Sequence, residues 1–382
     1  MKIVHFADLH LGIDTIGKMD PSGTSVRILD VYNALESITL YVEDSRPDLV
    51  IFAGDAYHRN LPTPTQVTMF SSCITRMSKV CPVVIVIGNH DMFGTASKRT
   101  ALDIFSAVNS SNIFIGNKPM NISVSGVNLT LLPYPDRTVS QDQFEQSLIT
   151  LSEEFREQEV FSILVAHCSV EGATYGSERT IMGLGHDPIL PIDLLRSTSY
   201  DYVALGHIHV LQDLGSDDSM PIVYPGCPLQ LDFGDEGKDT GFIELMIGEG
   251  LDISFVSIDS RKFHTVVIND NEYDPTDLAK DYADSHVVEL DGSIVRINII
   301  LEDDYAVNIE EIVAYYYKLG CLSCVVNVSR PRVTRTSSYD GNIASLSPLE
   351  LTKLYFKDAG VKGTDLKTLL ELSKEIMDEP IS

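Results

Sequence analysis

Long apolar runs are missing from this sequence. No stretch approaches the roughly 20 consecutive apolar residues that cross a bilayer, and the N-terminal KIVHFAD is too short and too polar for a signal peptide. A cytoplasmic protein with no membrane contact is the expectation. Cysteine is sparse and scattered, with six residues at 73, 81, 168, 227, 321 and 324. The only close pair is Cys321-Leu-Ser-Cys324, and one CxxC without a second pair or a histidine partner reads as buried structural thiols rather than a zinc or redox site. Basic residues are scarce too: 28 Lys and Arg face 55 Asp and Glu, a net charge of −27. Such a field repels phosphates at long range. Screening over about 8 Å at physiological salt leaves contact to local charge, so divalent metals or a basic partner would have to supply what the chain lacks.

What is present is a repeated pattern. Residues 82–93 read PVVIVIGNHDMF, a β-branched run of the kind buried on both faces of a parallel sheet, ended by Gly88 with Asn89, His90 and Asp91 at its tip. Elsewhere IVHFADLH ends in Asp8 and His10, LVIFAGD in Asp55, FSILVAH in His167, and YDYVALGHIH in His207 and His209. Each apolar strand delivers carboxylate, imidazole or carboxamide groups at its carboxyl end, where open α/β sheets place their sites. Asp8 and His10, two apart on an extended segment, point the same way and can share one metal.

Asp8, His10, Asp55, Asn89, His167, His207 and His209 mix oxygen and imidazole donors. That set suits manganese, iron, zinc or magnesium, and without thiolates it is not a structural zinc site. The donors are too many for one catalytic ion with an open position; two ions about 3.5 to 4 Å apart, bridged by one carboxylate, account for them. Such a pair clamps a phosphoester, so the reaction class is phosphoester hydrolysis. His90, beside a ligand, has an imidazole free to serve the leaving oxygen. Arg179 lies in the polar 170–186 loop at the mouth, either as a phosphate contact or as the exposed arginine of a solvated loop.

Periodicity predicts helices over about 26–44, 63–79 and 140–158. Strands at 113–115, 122–124, 127–132, 221–224, 241–247 and 251–256 are expected to form a second, more antiparallel sheet. From about Asp259 the pattern alternates as a small α+β unit, and residues 331–346 read as a tether. Ser347-Pro348-Leu349-Glu350 then opens a helix with a capping box and proline at its first position. A second amphipathic helix follows from Asp365, and the pair is suited either to a partner groove or to packing back on the body.

In this order DxH, GDxxxH, GNHD, a later His and GHxH resemble the calcineurin-like metallophosphoesterase signature over Asp8 to His209. The resemblance implies four layers, two β-sheets between helices. It also implies one metal held by Asp8, His10, Asp55 and His209 and a second held by Asp55, Asn89, His167 and His207. Within that superfamily, His58 in GDAYH, the VEGATYGSER loop and the cap followed by tethered helices are similar to the SbcD/Mre-eleven family of DNA double-strand-break repair nucleases. That resemblance implies a nuclease domain at 1–258, a DNA-guiding cap at 259–330, a linker at 331–346 and a helical pair at 347–382. It implies a Mn2+-dependent 3′–5′ exonuclease on duplex DNA, with Mg2+ as the other candidate ion, and a single-strand endonuclease activity serving repair, recombination and replication. His90 would stabilise the transition state or leaving group and His58 would support exonuclease action. A homodimer and an SbcC-type SMC-like coiled-coil ATPase on the C-terminal helices are the implied partners. Two rivals are the same chemistry on a small phosphoester or phosphoprotein, and a non-catalytic scaffold, against which the full donor set speaks.

Overall fold

The computed structural model describes residues 1–92, 100–107, 110–176, 187–215, 220–269, 273–301, 306–330, 347–358, 361 and 363–378. Arg179 and the 331–346 tether lie outside the described residues. The chain divides into two compact units, Met1–Ile300 with Asp304–Val328, and Leu301–Asp303 with Ser329–Ser382.

Strands β1 (Lys2–Phe6), β2 (Leu49–Phe52), β3 (Val83–Val86) and β4 (Ile113–Gly116) run parallel, connected through helices α1 (Val26–Ser45), α2 (Pro64–Ser78) and the short α3 (Asp103–Ala107). Helix α2 starts where Thr63 accepts from the Gln66 N–H and the Gln66 side chain accepts from the Thr63 N–H, a reciprocal cap that satisfies two orphan donors. Next come β5 (Met120–Val124), β6 (Val127–Leu132), α4 (Gln141–Glu153), β7 (Ser162–His167), β8 (Ser169–Val170) and β9 (Ile189–Leu190). They are followed by α5 (Ile192–Arg196), β10 (Tyr202–Gly206), β11 (Gln212–Asp213) and β12 (Ile222–Tyr224). Here β6, β7, β10 and β12 are parallel neighbours, with β5 and β11 antiparallel at the edges. Strands β13 (Gly241–Ile247) and β14 (Leu251–Ser257) then return antiparallel beside β1. The two six-stranded sheets are therefore β14-β13-β1-β2-β3-β4 and β11-β12-β10-β7-β6-β5, and β8 pairs with β9 apart from them.

This order corrects the expectation for 113–115, 241–247 and 251–256, which belong to the first sheet. Alternation along a strand tells which faces are buried but not which strand lies alongside. The pairing of Lys2 with Met246 joins residues 244 positions apart.

Because the central strands are apolar on both faces, alternate residues enter different cores. Ile3, Ala7, Ile51 and Val84 meet Leu129, Leu131, Val165 and Ala204 between the sheets. Val4, Phe6, Phe52 and Ile85 pack instead with Leu35, Ile38, Phe70 and Ile74 of α1 and α2. On the far side Leu164, Ala166, Val203 and Leu205 pack with Phe144, Leu148 and Leu195 of α4 and α5. The result is a helix–sheet–sheet–helix α/β fold with both sets of parallel strands central.

The rest of the first unit is a three-stranded sheet in the order β15 (Phe263–Ile268), β16 (Ile294–Ile300), β17 (Ser323–Ser329), with α6 (Pro275–Ser285), α7 (Val287–Leu290) and α8 (Ile309–Lys318). Arg261 clamps it to the body through Asp30, at 2.8 Å and 2.9 Å. Cys321 and Cys324 are buried free thiols there. In the second unit, helices α9 (Pro348–Asp358) and α10 (Gly363–Asp378) are formed. The Ser347 N–H donates to the Glu350 carboxylate at 2.8 Å, and the Ser347 hydroxyl accepts from the Glu350 N–H at 3.4 Å.

Candidate metal centre

The carboxyl ends of β1, β2 and β3 in one sheet and of β7 and β10 in the other carry the sequence-predicted donors. Asp8, His10, Asp55, His167 and His207 are buried. Asp8, His10, Asp55 and His207 have φ of 55°, 48°, 59° and 98°, a left-handed region that non-glycine residues rarely adopt and that clusters at functional sites. This alters the reason for the Asp8–His10 pairing: sharp turns, not the alternation of an extended strand, bring the two side chains together. Gly54, at φ 101°, and Gly88 permit the packing of these turns, since a Cβ on Gly88 would strike the Asp55 carboxylate and one on Gly54 the His167 ring.

The donor atoms converge. Nε2 of His10 lies 3.1 Å from Nε2 of His209 and 3.6 Å from Oδ2 of Asp55. The same Asp55 oxygen is 3.5 Å from Nε2 of His167. Oδ1 of Asn89 is 3.0 Å from Nε2 of His167 and 3.2 Å from Nδ1 of His207. One carboxylate oxygen thus stands between two imidazole groups. Ligands at about 2.1 Å from a shared ion lie roughly 3.0–3.4 Å from each other by simple geometry; the His10–His209 and Asn89 pairs, at 3.1, 3.0 and 3.2 Å, fall in that range, and the two Asp55 separations, at 3.6 and 3.5 Å, are slightly wider. Asp8, His10 and His209 form one group able to hold an ion and Asp8, Asp55 and His167 another. Buried ring nitrogens His10 Nδ1 and His207 Nε2 have no hydrogen-bond partner among the described residues.

Orientation comes from the backbone. His167 Nδ1 donates to the Ala53 carbonyl at 2.7 Å, which turns Nε2 toward the cluster, the usual tuning of a ligating histidine. Asp8 accepts from the His207 N–H through both oxygens at 3.0 Å. The His90 N–H donates to Asp55 Oδ1 at 2.9 Å, and His90 Nδ1 donates to the His58 carbonyl at 2.8 Å. His58 and His90 flank His10, with ring centroids 5.8 Å and 4.7 Å from it.

The electrostatics match a cation site. Burial works against charging Asp55, but His167, His90 and His10 outweigh it and hold its carboxyl well below the usual range. Burial also works against charging His167, yet the Asp55 charge and hydrogen bond lift it to about 9. Burial first, then neighbouring imidazoles, pushes His207 down to about 3 and lowers His10 and His58. The field thus sets an ionised Asp55 beside a protonated His167, with His207, His10 and His58 held neutral, and a divalent ion binding there takes the place of the His167 proton.

Two residues went unassigned by sequence reasoning. Asp91 is buried and accepts the N–H groups of Asp55, Ala56, Tyr57 and Gly88 at 3.0, 3.0, 3.2 and 3.1 Å. Its place in GNHD was the available signal. Tyr134 stands 5.7 Å from the His207 ring and 6.3 Å from the His167 ring, with its hydroxyl donating to Asp187 at 2.6 Å; nothing in PYP announced it. Tyr134 lines, with Ile87, Met92, Lys118 and Phe144, a cavity of about 800 Å³. His5 is buried between the sheets. No described helix is long and apolar enough to cross a membrane.

Among solved structures, the chain is similar to a dimetal phosphatase from Danio rerio, at 14% identity over 67% of this chain and 96% of that one, with a TM-score of 0.43. It is also similar to a Vps29 single mutant from Entamoeba histolytica, at 11% identity over 68% and 100% of the two chains, with a TM-score of 0.28. Residues 1–211, which contain all the converging donors, match the family described as calcineurin-like phosphoesterase, and the chain belongs to that family.

Proposed function

We propose that this chain is a two-ion DNA nuclease of the SbcD/Mre-eleven kind. The observation that carries the reading is the Asp55 carboxylate between His10 and His167, with His58 and His90 beside it and none of the expected donors absent. In this reading Asp8, His10, Asp55 and His209 hold one divalent ion and Asp55, Asn89, His167 and His207 the other, with Mn2+ as the working ion. Two such ions, when bound, lower the pKa of water and offset charge developing on a phosphoester.

The protein's own part is orientation and proton management. Because the His58 carbonyl only accepts, His90 keeps its proton on Nδ1 and presents Nε2 as its reactive nitrogen, placed to hold or give a proton at the leaving oxygen. The Asp55 carboxylate, fixed by the His90 N–H, links the metal ligands to that imidazole. The 259–330 segment acts as a DNA-guiding cap, and α9 and α10 present apolar residues, among them the exposed Tyr355 and Leu372, to an SbcC-type coiled-coil ATPase. The chain works as a homodimer. Its net charge of −27 makes divalent ions and that partner the means of approaching DNA.

The test is incubation with end-labelled duplex and Mn2+, with and without the ATPase. Digestion from the 3′ end is expected, and duplex left intact in both arms refutes the reading. The cavity beside Tyr134 favours one rival, a small phosphoester substrate. Fast hydrolysis of such esters with no DNA degradation would select it.

A further inference from the structure

We infer that Asp91 is a positioning residue that sets the distance between the loops carrying Asp55 and Asn89 without touching metal or substrate. This rests on the two-ion reading of the site but not on DNA as the substrate. Asp55 sits at φ 59°, a conformation that an L side chain rarely adopts, and something must hold it there. The N–H groups of Asp55, Ala56 and Tyr57 all donate to the Asp91 carboxylate, which is only 1% exposed. Consecutive N–H groups converging on one anion form a concavity specific for negative charge.

The Gly88 N–H donates to the same carboxylate at 3.1 Å, so a single side chain closes the loop after β2 onto the loop after β3. A second observation fits: Gly88 approaches Asp55 so closely that a Cβ there would meet the Asp55 backbone nitrogen at 2.5 Å. All four partners donate, so an amide at this position would turn its NH2 group against N–H groups. The neighbour in sequence, His90, faces the opposite task, since its N–H and ring serve Asp55 Oδ1 and the His58 carbonyl.

The experiment is Mn2+ calorimetry on the full chain, without substrate, comparing wild type, D91N and D91E, with bis-p-nitrophenyl phosphate turnover as a second readout. D91N is expected to weaken Mn2+ binding 10–100-fold, the range for outer partners of metal ligands, and to recover turnover near the wild-type value at saturating Mn2+. D91E keeps the charge and should fall between. An unchanged Mn2+ affinity in folded D91N overturns the inference, even if its melting temperature in chelator drops. A turnover loss that persists at saturating Mn2+ overturns it as well, assigning Asp91 to the chemistry. Failure of both variants to fold also overturns it, because a clamp between two loops leaves the three cores intact. A wild type that binds no Mn2+ removes the two-ion reading itself.

Discussion

The two sheets contribute different chemistry to one site. The first supplies every oxygen donor, Asp8, Asp55 and Asn89, together with the imidazole of His10, from turns beyond its strand ends, with Asp8, His10 and Asp55 at left-handed φ. The second supplies the imidazoles His167, His207 and His209 from the ends of β7 and β10. Carboxylate ligands must be ionised and every oxygen ligand fixed in direction, and short turns with buried N–H partners serve both needs. Imidazoles need only their ring tautomer set, which a neighbouring carbonyl such as that of Ala53 achieves. The site therefore exists only where both halves meet, and each half is incomplete alone.

The largest expected effect breaks either half outright. Asp55→Ala from the first sheet and His207→Ala from the second should each reduce Mn2+-dependent phosphodiester cleavage to background, measured on the same labelled duplex. Intact cleavage in either variant would show that one half suffices. Next, the comparison sharpens at His90, which in the proposed reading serves the leaving oxygen rather than a metal. His90→Gln is expected to keep Mn2+ affinity while lowering kcat by about 10²–10⁴, seen as unaltered calorimetry beside lost turnover.

A smaller effect tests the joint between the sheets. His5 of β1 donates from Nε2 to the Leu205 carbonyl at 3.1 Å and accepts at Nδ1 from the Tyr202 hydroxyl at 3.0 Å. Burial holds its pKa down to about 3, against about 6.5 in an unfolded chain. Below pH 6.5 the unfolded chain takes up a proton that the folded one refuses. The stabilisation is therefore whole above 6.5 and is lost as pH falls toward 3. Between pH 7 and pH 5 the loss is about 2 kcal/mol, read from urea unfolding, and His5→Asn should flatten that slope. Smallest of all, Thr63→Ala removes the α2 cap and is expected to cost about 1 kcal/mol with turnover unchanged, which places it as a control remote from the seam.

Much of this was legible in the residues. Strand-end donors such as Asp8 and His167 announced themselves because a buried apolar run ending in a polar ligand is a local pattern, and the α9 cap follows the same logic. Asp91 was not legible as a clamp, since its partners at 55–57 are separated from it by a helix and a strand. Tyr134 gained its place beside His207 only through the pairing of β6 with β7 and of β7 with β10.

By itself the sequence determined which strands are buried on both faces, where they stop, and which ligands stand at their tips, because these depend on side-chain alternation and turn residues over a few positions. Tertiary structure alone decided that β4, β13 and β14 join the first sheet, and that Asp8 and His10 face one point through left-handed turns. It also decided that one Asp55 oxygen lies between imidazoles from opposite sheets. The physical reason is range: strand neighbours and donor spacings arise from contacts between residues far apart in the chain, such as the Asp8 carboxylate on the His207 N–H, 199 positions apart, which no local pattern encodes.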